Sequence, residues 1–206
     1  MDFIASHDEL RRIYKTPEPT AGSIRKELRA LDVHCRSFIA KSPFVLVGSS
    51  DGQGNADVTP KGDKPGFAAI LDETTIAIPD RPGNNRLDTL ENIVINPAVG
   101  LLFLIPGMNE TLRVNGEARI TTDPTLRERL AVDGKLPLSV IVISVRAAYM
   151  HCAKAFMRSQ LWQPESWLDR KTLPTLGEIL RDQLAMDQSA KETDRWLDDS
   201  YRQTMW

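Results

Sequence analysis

Three stretches between Phe44 and Leu104 decide how this chain is read: Phe44-Val45-Leu46-Val47-Gly48, Asp57-Val58-Thr59-Pro60-Lys61-Gly62, and Thr75 to Pro79 running into Arg81-Pro82-Gly83-Asn84-Asn85-Arg86. The first is an apolar strand that ends at an Asp51-Gly52 turn. In the second, a strand would point Asp57, Thr59 and Lys61 to one side and Ala56, Val58 and Pro60 to the other. Pro60 cannot donate to a ladder, so this strand belongs at a sheet edge or a bulge. Its unpaired backbone groups could then bond a flat heteroaromatic ring, with Lys61 reaching a phosphate or a ring edge. An ordinary edge strand that uses Lys61 to block aggregation is the plainer alternative. The third stretch carries Gly83-Asn84-Asn85-Arg86 ahead of a helical pattern from Asn84 to Ile95. Backbone N–H groups at a helix start, two carboxamides and an Arg fork can hold an anion; an Asn cap with a surface Arg explains them equally. Asn96-Pro97 and the apolar run Val99 to Leu104 close the region.

Further strands follow the same logic. Leu112, Val114, Gly116, Ala118 and Ile120 alternate with polar residues, the period-two pattern of a strand with one wet face. Leu138 to Val145 is almost continuously apolar and suits a strand buried on both sides. Ahead of the strands, Ser6-His7-Asp8-Glu9 fits a capping box for a helix reaching about Lys15. A second helix is expected with Ser23 as cap and Ile24, Leu28, Leu31, Cys35, Phe38 and Ile39 on one side. Asp123-Pro124 starts another, and from Pro174 one or two amphipathic helices complete the chain. Six strands with few intervening helices predict a small barrel, mainly β within an α+β class, in preference to a doubly wound sheet.

Composition narrows the function. The 206 residues are 26% charged and 41% hydrophobic with a net charge of −2, which fits a globular domain and gives no field directed at nucleic acid. No apolar run is long enough to span a membrane. The N-terminus shows no basic region followed by an apolar core, and two cysteines make no disulfide framework. A cytoplasmic protein is expected. Neither a Rossmann nor a P-loop glycine pattern occurs, and no Gly-x-Ser-x-Gly supports a hydrolase.

A third cluster, His151 to Trp162, is dense in His, Cys, Lys, Arg, Met and Trp. On a helix Lys154 and Arg158 share a face that Trp162 continues, so two cations and an indole could flank a flat anionic ligand. A solvated basic face packed through Phe156 and Leu161 is the plainer reading. His151 and Cys152 are too few for a metal site and, being adjacent, diverge too far to act as a nucleophile pair.

Together these motifs resemble the pyridoxamine 5'-phosphate oxidase-like family. Val-Thr-Pro-Lys-Gly-Asp, Ile-Pro-Asp-Arg-Pro-Gly-Asn-Asn-Arg, Asn-Pro-x-Val-Gly-Leu-Leu-Phe and Leu-Arg-Val-Asn-Gly-Glu-Ala occur here in that family's order, from about Phe38 to Pro164. The segment His-Cys-x-Lys-Ala-x-x-Arg-Ser-x-Leu-Trp resembles a bacterial subgroup whose substrates are mostly unassigned. The resemblance implies a six-stranded FMN-binding split β-barrel with peripheral helices over residues 1–165. A helical extension over 166–206 would pack on the barrel or on the partner of a homodimer, through Trp196, Tyr201 and Trp206. FMN would sit at the dimer interface and exchange a hydride at N5 with a small-molecule substrate or NAD(P)H.

By position, the resemblance assigns the cofactor to Asp57, Val58, Thr59, Pro60, Lys61 and Gly62, to Ile78 and Pro79, and to Asn84, Asn85 and Arg86. Lys154, Arg158, Ser159 and Trp162 would approach the flavin, with the subunit that supplies them left open. Asn84-Asn85-Arg86 stands where the family's named oxidases have Ser-Arg-Lys, so Arg86 and Lys61 would carry the charge. The vitamin B6 oxidases' Arg-Leu-x-Pro-like tail has no counterpart, which argues against pyridoxamine phosphate as substrate. Alternatives that keep the barrel are a flavin-binding sensor without turnover, or a deazaflavin or haem ligand.

Overall fold

A computed structural model describes residues 1–205 of the chain; Trp206, one of the tail aromatics singled out above, lies outside the described residues. Helices α1 (His7–Ile13), α2 (Gly22–Arg25) and α3 (Val33–Lys41) lead into strands β1 (Phe44–Ser50), β2 (Ala56–Gly62), β3 (Ala69–Asp72) and β4 (Thr75–Asp80). Helix α4 (Asp88–Ile95), β5 (Ala98–Leu104), β6 (Thr111–Thr121), α5 (Pro124–Arg129) and β7 (Ser139–His151) follow. Helices α6 (Lys154–Ser159), α7 (Leu176–Leu184) and α8 (Ala190–Thr204) end the chain. None of the described helices is long and apolar enough to cross a membrane.

All strands join one antiparallel sheet in the order β2-β1-β5-β6-β7-β4-β3. It holds seven strands where six were expected. The extra one, β3, is a short partner to β4 whose Ala69-Ile70-Leu71-Asp72 is too brief to show a period. The sheet curls until edge strand β2 faces the end of β4, where ion pairs rather than ladder bonds close the gap. Lys61 Nζ lies 3.0 Å from Asp80 Oδ1, and Arg81 Nε lies 3.0 Å from Asp63 Oδ2.

The interior follows from alternation. Val45 and Val47 of β1, Leu101 and Phe103 of β5, Leu112 and Val114 of β6 and Ile141 and Ile143 of β7 turn inward and are buried. Each such side chain contributes roughly 1.5–3 kcal/mol on burial. Helix α3 adds Cys35, Phe38 and Ile39 to this core. Burial, reinforced by the Asp32 carboxylate, pushes the Cys35 thiol up to about 11.

Three sequence expectations shift at boundaries. The helix expected from Ile24 to Ile39 divides into α2 and α3, because Leu28 exchanges both backbone hydrogen bonds with Ala148 and so joins the edge of β7. Asp32 then restarts the helix by accepting the Cys35 N–H at 2.8 Å. The helix expected from Asn84 starts only at Asp88, because Asn85 takes a left-handed conformation (φ 57°). Strand β7 runs on from Val145 to His151, pairing with β6 as far as Thr111.

Beyond α6 the chain makes two short 3₁₀ turns and the α7–α8 hairpin. Both hairpin helices start in capping boxes, Thr175 with Glu178 and Ser189 with Glu192. They meet where the Gly177 N–H donates to Asp194 Oδ1 at 2.7 Å.

Candidate functional site

Strand β2 shows the alternation its sequence predicts: Asp57, Thr59 and Lys61 are half-buried, while Ala56, Val58, Pro60 and Gly62 are exposed. It pairs only with β1, so Pro60 sits on an edge strand and the backbone groups of the other edge have no strand partner. Between β2 and the β4–α4 loop lies a cleft of about 300 Å³. Thr59, Pro60, Lys61 and Gly62 line one side, Pro79 and the loop residues Asn84, Asn85 and Arg86 the other.

Helix α4 fixes that loop. Thr89 Oγ1 donates to Asp57 Oδ2 at 2.9 Å, Asn92 Nδ2 to Ser49 Oγ at 3.1 Å, and Asn96 Nδ2 to Ser50 Oγ at 2.9 Å. Positions 89, 92 and 96 fall on one helical face, so three polar bonds seat α4 against β1 and β2. The loop is shaped from within: the Arg86 N–H donates to Asn84 Oδ1 at 3.0 Å, and Asn85 supplies the left-handed step. Such a turn suits Asn, which reaches that conformation at low cost.

Each cation of the cleft meets a carboxylate. Lys61 and Asp80 are 21% and 15% exposed, a half-buried pair that orders both side chains. Arg81 bonds Asp63 and also donates to Leu130 O at 3.0 Å. Arg86, 77% exposed, pairs with Asp88 two residues on, and this carboxylate raises the guanidinium above its ordinary value, with Asp57 adding to the effect.

Not every predicted residue reaches this cleft. Asp57 is spent on Thr89, and Ile78 is fully buried in the core. Val58 points to the opposite face, into an apolar groove of about 460 Å³ floored by Gly48 and Gly100 and walled by Leu46, Leu102 and Phe156. Arg113, His151 and Cys152 also line the groove. Lys154, Arg158 and Ser159 lie on α6, none of them lining the cleft of the same chain. Trp162 does not continue the Lys154–Arg158 face, because Gln160 (φ 51°) ends α6 and turns the chain. Its ring stacks on Phe156 with centroids 5.9 Å apart, and its Nε1 donates to Met108 O at 2.7 Å. Sequence reasoning missed Asp63, Asp80 and Arg81 as parts of the site. Their signal was Lys61-x-Asp63 on one segment and Asp80-Arg81 on another, opposite charge orders that set Lys61 against Asp80 and Asp63 against Arg81.

The sequence model described as pyridoxamine 5'-phosphate oxidase matches residues 31–152, more than half of the chain and all of the cleft. The chain belongs to the pyridoxamine 5'-phosphate oxidase family. The match stops before α6, so the Lys154 to Trp162 segment and the helical tail lie beyond the family's shared part. No curated relative matches the chain in sequence.

Several solved structures are similar over little more than half of the chain. HupZ of Group A Streptococcus is 18% identical, with 58% of this chain and 92% of that one covered and a TM-score of 0.47. A Lactobacillus delbrueckii protein provisionally named a pyridoxamine 5'-phosphate oxidase is 19% identical, covering 60% and 98%, with a TM-score of 0.49. A structure titled F420 reductase is 18% identical, covering 56% and 94%, with a TM-score of 0.40. At these scores the family assignment rests on the sequence match alone.

Proposed function

We propose that this protein is an FMN-dependent oxidoreductase that works as a cytoplasmic homodimer, with the β2–α4 cleft as one half of each flavin site. The observation that carries this reading is the cleft itself. An edge strand with open backbone groups runs beside Lys61 and faces a loop that presents two carboxamides and Arg86. These groups fit a flavin: backbone donors and acceptors suit the edge of its ring, and Arg86 with the Asn84–Asn85 turn suits a phosphate. At about 300 Å³ the cleft is at the small end for a cofactor site, as expected of half a site completed by a second subunit. The apolar groove on the other face of β2, with Val58 64% exposed at its edge, offers the surface for that subunit. Lys154 and Arg158, exposed on α6 and in no ion pair among the described residues, stand at the same side of the barrel as the groove's Ala155 and Phe156.

When bound, FMN supplies hydride exchange at N5 with a small-molecule substrate or NAD(P)H. The chain's own work is binding and orientation. Asp80 holds the Lys61 ammonium in place, leaving two of its N–H donors for a ligand. Arg86 meets the phosphate, α4 fixes the loop, and the groove's apolar walls exclude water once a partner covers them. No histidine lines the cleft, so no imidazole acid or base is assigned.

The phosphate role is tested by comparing purified Arg86→Ala and Lys154→Ala. Arg86→Ala is expected to weaken FMN binding about fivefold, the scale of an exposed ion pair, and Lys154→Ala to weaken it by less. Equal FMN content and affinity in the two variants would count against the assignment.

A further inference from the structure

We infer that three carboxylates act as built-in counter-ions of the cleft, so that it recognises the ring of its flavin and discriminates only weakly in favour of the phosphate. This inference rests on the flavin reading above and goes beyond it to the selectivity of the site. Its basis is a matching of charge. Lys61 is held by Asp80, Arg81 by Asp63, and Arg86 by Asp88, so no cation lining the cleft is left without an anion. Asp57 adds a further negative charge close enough to raise the Arg86 guanidinium.

A phosphate monoester brings about −1.5 to −2 charges at neutral pH. At Arg86 it meets the Asp88 carboxylate already bonded to the guanidinium Nε, and at the Asn84–Asn85 turn it meets the Asn84 Oδ1 that accepts the Arg86 N–H. In both places an oxygen acceptor is already present and at Arg86 it is charged, so the net gain from a second anion is small. The ring edge meets no such competitor, because the outer backbone groups of β2 have no strand partner. Ring recognition therefore contributes the larger share, and Asp88 sets how much the phosphate adds. Asp88 is the residue to change: it is 44% exposed in the first turn of α4, and no buried group depends on it. Asp80 is the less clean choice, since its loss leaves Lys61 half-buried without its anion.

The experiment titrates the full-length protein and its Asp88→Asn variant with FMN and with riboflavin, followed by quenching of flavin fluorescence at low and at high salt. The parent is expected to prefer FMN over riboflavin by less than about tenfold. Asp88→Asn is expected to tighten FMN about threefold, to leave riboflavin unchanged, and to lose that gain at high salt. A parent preference above about a hundredfold, or an FMN affinity that ignores Asp88→Asn, overturns the inference while the flavin reading stands. If neither flavin binds, the flavin reading falls and takes this inference with it.

Discussion

Gly116→Ala is expected to destabilise the barrel by about 3 kcal/mol, among the largest effects available to a one-carbon change. Gly116 sits at the register shift between β6 and β7, where the two longest strands of the sheet bulge past one another. A Cβ built there would meet Ser144 O at 2.3 Å and Ile143 Cγ2 at 3.0 Å. Neither neighbour can retreat cheaply: the first belongs to the backbone of a strand bonded on both sides, and Ile143 is buried in the core. The strands must separate locally, and buried ladder bonds stretch with them. Urea unfolding measures this as a midpoint lowered by about 1–2 M at an unchanged slope. Gly83→Ala is the control, because its added carbon meets nothing within 4 Å; its midpoint should not move.

Gly177→Val is expected to melt the C-terminal hairpin and leave the barrel intact. The added carbon would lie 2.4 Å from Ala190 O and 2.6 Å from Asp194 Oδ1, the carboxylate that now accepts the Gly177 N–H. The substitution therefore removes the close approach of α7 and α8 and the bond that fixes it. A hairpin whose helices leave Leu176, Leu184, Trp196 and Tyr201 exposed has little else in this chain to hold it. Hydrogen exchange should show the amides of α7 and α8 losing protection while those of β5 and β6 keep theirs. Equal loss of protection in both regions would mean that the tail and the barrel fold as one unit, against the proposed division near residue 165.

The fold was legible where side chains alternate. The period-two pattern from Leu112 to Ile120 matches the alternating burial of β6, the apolar runs from Phe44 and Val99 became β1 and β5, and Pro60 marked β2 as an edge. What could not be read locally depends on partners distant in sequence. Leu28 leaves a plausible helix because Ala148 offers it two backbone bonds, and β3 exists because β4 pairs with it. The cleft was half visible: Thr59 to Gly62, Pro79 and Asn84 to Arg86 do come together. The place of Asp57 could not be read locally, because Thr89, 32 positions away, claims its carboxylate. Trp162 was placed on a helix face that Gln160 cuts short. The neutral charge of the cleft was the least legible feature, since it needs Asp63 and Asp80 to be seen opposite Arg81 and Lys61.

If the β2–α4 cleft holds FMN, the purified protein should carry it. Denaturing the protein and analysing the released small molecules by mass spectrometry should yield FMN, up to one per chain. Protein stripped of it should recover a flavin absorption band near ~450 nm when FMN is added back, as expected of a bound flavin cofactor. A colourless protein that releases no flavin and takes up none would contradict the account.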